Sequence, residues 1–174
     1  MNNLSKAILM TTMALALISS SGCMSIYGRV DADLYGMRKA TTKPNNYMPQ
    51  EGDLVFQALP LDLDLVVTIE GVTKSNYSHV GVLHKRDDEW TVIEASGPGV
   101  IYTAFDKWKT HGRNERWAAY RLKAEHQKNL QEFLANLHPH AGKAYDFKYE
   151  LSENKLYCSE LVYHAWLKTT GQKM

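Results

Sequence analysis

The sequence predicts an α+β domain in which an antiparallel sheet packs against helices. Two observations carry this. Short runs rich in strand-forming residues follow one another between residues 78 and 103 with turn residues between them, which is the spacing of a meander and not of alternating strands and helices. Further on, Leu130, Phe133, Leu134 and Leu137, and then Leu161, Val162, Ala165 and Trp166, recur three and four residues apart, the period of helices that bury one face. The chain has 174 residues, 44% of them hydrophobic, with 20 Lys+Arg against 19 Asp+Glu. That composition supports one core-bearing domain, and the near-neutral balance supplies no basic surface for binding nucleic acid.

The first 22 residues read as an export signal. Lys6 and the amino terminus precede an uncharged apolar run from Ala7 to Ile18, which is too short for a stable membrane span. Ser19, Ser20, Ser21, Gly22 and Cys23 follow, and this stretch resembles a bacterial lipobox with Ser20 where leucine is usual. The resemblance implies acylation of Cys23 after cleavage and a membrane-anchored lipoprotein with a soluble folded part. Met24 after the cysteine implies the outer membrane, with the protein facing the periplasm. An ordinary cleaved signal peptide is the alternative, and in both cases the chain is exported. Residues 23–50 lack clean periodicity and are expected to be a tether with some local structure, the folded domain spanning 51–174.

Within that domain, Gly52-Asp53 is a turn signal before a first strand at Leu54-Val55-Phe56. Leu61 to Val72 is ambiguous: Leu61, Leu63 and Leu65 alternate like a strand, while Leu65, Ile69 and Val72 share a helical face, and a helix ending near Gly71 is favoured. Strands are expected at Ser78–His84, Thr91–Ala95 and Gly99–Thr103, joined by turns at Asp87-Asp88 and Gly97-Pro98-Gly99. A short helix over Phe105–His111 and a strand over Trp117–Leu122 come next. A surface helix over Glu125–Leu137 ends at Pro139 and Gly142. A final helix starts at Leu156 or Tyr157 and stops near Gly171, placing Cys158 in its first turn.

That position matters for chemistry. The chain has two cysteines, and an acylated Cys23 leaves Cys158 alone. A thiol in the first turn of a helix is acidified by unpaired amides and the helix dipole, as a nucleophile requires. The plain alternatives are a Cys23–Cys158 disulfide or a small buried core residue. A cysteine nucleophile needs a base and a group to orient that base. His79 opens a strand from which it can project toward a packed helix, and a hairpin can set Glu94 beside it. An isolated histidine at a strand start is more simply satisfied by a backbone carbonyl, and Glu94 by solvent. His84, His111, His126, His138, His140 and His164 lack ligand spacing, so no metal site is expected and these side chains are read as surface residues. Trp90, Trp108, Trp117 and Trp166 are read as core or groove-edge residues.

Taken together, Gly52-Asp53-Leu54-Val55, Tyr77-Ser78-His79-Val80-Gly81, Val92-Ile93-Glu94-Ala95, Gly142-Lys143-Ala144-Tyr145-Asp146 and Tyr157-Cys158-Ser159-Glu160-Leu161-Val162 resemble the circularly permuted, NlpC-like cysteine hydrolases of the papain fold, the YiiX and YaeF group. The resemblance covers most of the chain beyond the leader. It implies a papain-like fold in permuted order, with the histidine before the cysteine, and catalytic roles for Cys158, His79 and Glu94. It also implies that Tyr145 helps line the oxyanion site beside the amide of Cys158. The implied activity is that of a cysteine amidase or peptidase of the cell envelope, acting on cell-wall peptides or another amide without a cofactor. A lipid-directed hydrolase or acyltransferase, with an ester or amide substrate, and a catalytically silent binding lipoprotein remain open. Residues 59–72 have no counterpart in that pattern and are expected to shape the substrate pocket. The sequence is silent on oligomeric state.

Overall fold

The structure, a computed structural model, describes residues 24–27, 47–61, 64–150, 152 and 154–173. The export signal, Cys23 and most of the tether lie outside the described residues. Among the described residues there are eight strands and four helices, in the order β1 Met24–Tyr27, β2 Leu54–Gln57, α1 Asp64–Thr73, β3 His79–Arg86, β4 Glu89–Ser96, β5 Gly99–Ala104 and α2 Phe105–His111, then β6 Trp117–Leu122, α3 Leu130–Leu137, β7 Ala144–Tyr145, β8 Lys155–Leu156 and α4 Cys158–Thr170. Strands β1 to β6 form one sheet in the order β1-β6-β2-β3-β4-β5, and every neighbouring pair is antiparallel. Strand β1 falls within the stretch expected to be a tether and adds to the sheet edge beside β6.

Alternation along the strands builds a core on each face of this sheet. Leu54, Phe56, Val80, Val82 and Ile93 point to one side and meet Phe133, Leu134 and Leu137 of α3 and Leu161, Val162, Ala165 and Trp166 of α4. Val55, Leu83, Val92 and Ala119 point to the other, where Phe105 and Trp108 of α2 cover them. Asp87 and Asp88 both adopt positive φ, 48° and 65°, which gives the two-residue hairpin between β3 and β4 the twist its strands need. A buried ion pair fixes the centre of the sheet: Arg121 donates to both carboxylate oxygens of Asp53 at 2.7 and 2.8 Å, and Tyr47 donates to the same carboxylate at 2.6 Å.

Three boundaries differ from the expectation. The helix over 125–137 is α-helical only from Leu130, and Ala124–Asn129 winds as a tighter 3-10 turn. Gln127 Nε2 donates to the Leu122 carbonyl at 2.6 Å, drawing this polar stretch against the end of β6. The last helix begins at Cys158, because Leu156 is taken by β8, which pairs in parallel with β7. Gly71 lies inside α1, which ends at Thr73, with Lys74 at positive φ. Helix α4 does end where expected, at Gly171 in the left-handed region. The histidines read as surface residues are mostly half-buried, His111 excepted; His84 and His138 pack ring to ring at 4.7 Å.

Candidate active site

The site forms where β3 and β4 part. Their ladder ends at Gly81–Glu94, after which β4 continues with β5 and the start of β3 pairs only with β2. Leu83 N–H points to β2, donating to Asp53, so by alternation the Val80 N–H points toward β4, beyond the last rung. It donates to Cys158 instead, as does the Ser159 N–H at the start of α4. The sulfur thus closes the gap between two strands with backbone donors of the kind that stabilise a thiolate.

His79 and Glu94 meet across the same gap. Gly81 lies opposite Glu94 and His79 is two residues further along β3, so both side chains leave the same face and meet on the diagonal. Gly81 is required for this: a Cβ there would lie 2.3 Å from Val92 Cγ1 and 3.3 Å from Glu94 Cβ. His79 Nε2 lies 2.5 Å from Glu94 Oε2, leaving Nδ1 as the ring nitrogen for the thiol, to which the imidazole is hydrogen-bonded. Cys158, His79 and Glu94 are all more than nine-tenths buried, at 8%, 6% and 4% exposed.

Their protonation follows from that burial and from each other. Burial disfavours the charged imidazole, but its hydrogen bonds to Cys158 and Glu94, with the charge on each, outweigh this and push His79 from 6.5 up to about 10. Burial likewise disfavours the thiolate, and the bond to His79, the imidazolium charge and the Val80 and Ser159 amides reverse it, so the Cys158 thiol lies below its ordinary value. Glu94 is also lowered: burial opposes its charge, and His79, Thr103 and Trp108 overcome that opposition. These directions all favour the same charges: a more acidic thiol, a more basic imidazole and a more acidic carboxylate. Such an arrangement is suited to nucleophilic acyl transfer.

The structure brings together all three residues expected to act, and it adds two that sequence reasoning missed. Thr103 Oγ1 donates to Glu94 Oε1 at 2.5 Å, and Trp108 Nε1 donates to Oε2 at 3.0 Å, so each oxygen of the orienting carboxylate is fixed. Gln57 Nε2 in turn donates to the Trp108 carbonyl at 2.5 Å, tying α2 to β2. The register held a signal for Thr103, since Glu94 pairs with Ile101 and Thr103 is its diagonal neighbour. Nothing in the sequence marks Trp108 as more than a core or groove-edge residue. Tyr145, on β7, shares a hydrogen bond of 2.8 Å with the hydroxyl of Tyr149. Burial first, and then the charge of Cys158, raises both phenols, so each keeps its proton. Glu160, buried one turn into α4, accepts the Tyr157 N–H at 3.4 Å and lies 3.3 Å from His164 Nε2, which makes it a helix cap.

Over 129 residues, 74% of this chain, the sequence is 31% identical to the uncharacterized protein YiiX of Escherichia coli strain K12. The match spans 62% of that relative's own length. A crystal structure described as that of metalloprotein YiiX from Escherichia coli O157:H7 superposes with a TM-score of 0.64 at 31% identity, over 73% of this chain and 69% of the other. The model of the permuted papain-like amidase family, YaeF/YiiX, C92, matches residues 48–174. With its histidine strand ahead of its cysteine helix and most of its length inside that match, this chain belongs to the permuted papain-like amidase family.

Proposed function

We propose that this protein is a cysteine amidase of the cell envelope that works through a thiol acyl-enzyme, with Cys158 as nucleophile, His79 as acid and base, and Glu94 as the group that orients and charges the imidazole. The observation that carries the reading is the buried chain from Cys158 through His79 to Glu94 at a helix N-terminus. In the first step the Cys158 thiolate attacks the amide carbonyl. The negative charge that develops on oxygen meets the Cys158 amide and the Tyr145 hydroxyl. Collapse breaks the C–N bond, and the imidazolium of His79 gives its proton to the departing amine. Neutral His79 then takes a proton from water, the hydroxide attacks the thioester, and the acid leaves with the thiolate–imidazolium pair restored.

The solved relative is described as a metalloprotein. Among the described residues of this chain no three His, Cys, Asp or Glu side chains converge as a metal would require. Exported, lipid-anchored placement through Cys23 belongs to this proposal, with amides of the cell wall as one substrate class. A lipid-directed hydrolase is the second reading. It is favoured by the groove beside His79, where the apolar side chains of α1 form a wall.

The test is hydrolysis of a panel of amides and activated esters by wild type and by Cys158→Ser. Turnover with a burst that is lost in the variant supports the proposal, whereas wild-type turnover undiminished in the variant removes Cys158 from the chemistry.

A further inference from the structure

We infer that the turn after α3 and the second half of α4 form a binding site for a phosphate group, built from His140, Lys143, His164 and Lys168, and that filling it draws a proton onto His140. The site uses none of Cys158, His79 and Glu94, so it goes beyond the acyl-transfer reading and stands or falls apart from it. His164 is six residues along α4 from Cys158, roughly 9 Å down the axis at about 1.5 Å per residue.

Local structure sets the four side chains in two pairs. His138–His140 winds as a 3-10 turn with Pro139 inside it, and the Lys143 N–H donates to the His140 carbonyl at 3.1 Å, which keeps Lys143 close behind His140. On α4, His164 and Lys168 are four residues apart and share a face. Helix α3 packs on α4, with Asn136 Nδ2 donating to Thr169 Oγ1 at 3.0 Å, and so brings the turn that follows it alongside. The two pairs then meet. The His140 and His164 rings lie 6.4 Å apart with their planes 31° from parallel, and the charges of Lys143, His164 and Lys168 all bear on His140.

This positive charge is poorly compensated. Glu160, 3.3 Å from His164 Nε2, is fully buried and also accepts the Tyr157 N–H. Lys168 is exposed and makes no ion pair among the described residues. His140 Nδ1 is buried without a hydrogen-bond partner among them, so the neutral ring keeps its proton on Nε2, the nitrogen left to meet a ligand. Burial first, and then Lys143, His164 and Lys168, hold His140 below its ordinary 6.5, so the ring is neutral at pH 7. An anion held by these groups cancels the repulsion and makes the protonated ring the favoured form. Four donors on two elements suit the oxygens of a tetrahedral anion, whereas a carboxylate offers two oxygens in one plane.

The experiment follows the His140 and His164 rings of the full chain by NMR as pH is lowered, in sodium sulfate, whose charge stays constant over the range, and in sodium chloride of equal ionic strength. Sulfate should raise the pH at which His140 titrates by about 1, which is about tenfold tighter binding to the protonated ring. Affinity therefore rises as pH falls through the raised value and levels off below the value of the free ring. His140→Gln keeps a donor in the place of Nε2 but cannot titrate, so sulfate should still shift the His164 ring while the dependence due to that proton disappears. Lys168→Ala should weaken sulfate binding about two- to fivefold. Glycerol 3-phosphate and vesicles of phosphatidylglycerol separate the sources: a His140 shift with the first assigns a soluble phosphate, and a shift with the vesicles alone assigns a lipid headgroup. Identical His140 titrations in sulfate and chloride overturn the site, as does undiminished binding in Lys168→Ala. An equal shift in acetate overturns the tetrahedral anion, and no shift with either phosphate compound overturns the assignment to phosphate. None of these results depends on Cys158, so failure here leaves the cysteine amidase intact.

Discussion

Glu94→Gln isolates the electrostatic role of the carboxylate. Glutamine has nearly the same shape, and with its carbonyl oxygen in the place of Oε2 it still accepts from Trp108 Nε1 and His79 Nε2, while its amide turns to Thr103 Oγ1. The hydrogen-bond count survives and the charge does not. Two anions, Cys158 and Glu94, hold the His79 imidazolium at about 10 against an ordinary 6.5. A close opposite charge moves a pKa by roughly 1–3, so the variant's imidazole is expected to titrate near about 8. At about 1.4 kcal/mol per pKa unit, the resting ion pair is weakened about tenfold to a thousandfold. The assay is an NMR titration of the His79 ring in wild type and variant, with Cys158 alkylation followed in parallel. The ring should lose its proton at lower pH than in the wild type, near about 8 and not near 10. A ring that still titrates near 10 in the variant would refute the assignment of Glu94 as the charge that holds it.

Other expectations follow from the same geometry. Activity should be bell-shaped in pH: it rises as Cys158 ionises, below the ordinary thiol value of about 8.5, and falls as the imidazolium of His79 loses its proton near about 10. Trp108→Phe keeps the ring in its core and removes one donor from Glu94, and should cost about 1–3 kcal/mol in urea unfolding while lowering kcat more than it raises KM. Arg121→Ala leaves the Asp53 carboxylate buried without its cation and should destabilise the fold by about 3–5 kcal/mol. Gly81→Val should abolish alkylation at neutral pH even in molecules that remain folded, because its side chain occupies the space between Val92 and Glu94.

Much of this was legible in the sequence because local pattern and tertiary fate agree. The meander from β3 to β5 follows from turn residues and alternation alone, and α2 and β6 occupy the residues expected of them. Pattern also placed Cys158 in a first helical turn and His79 at the opening of a strand. The papain-like identity came from motifs and not from periodicity, since an α+β pattern fits many folds. What stayed hidden depends on contacts between distant segments. The parallel pairing of β7 and β8 takes Leu156 out of the last helix, and two-residue strands carry no period. Trp108 reads as a core residue because it is one, and its indole N–H acquires a role only because α2 lies across Glu94. The Val80 amide is equally invisible, since the end of a ladder is a property of two strands.

The central claim is an activated Cys158–His79 pair, and alkylation tests it most directly. Wild type and His79→Ala would be treated with iodoacetamide across pH, with modification of Cys158 followed by mass spectrometry. The account predicts rapid wild-type reaction well below the free-thiol pKa of about 8.5 and its loss in the variant. An ordinary thiol profile in both proteins, or no reaction before unfolding, would contradict it.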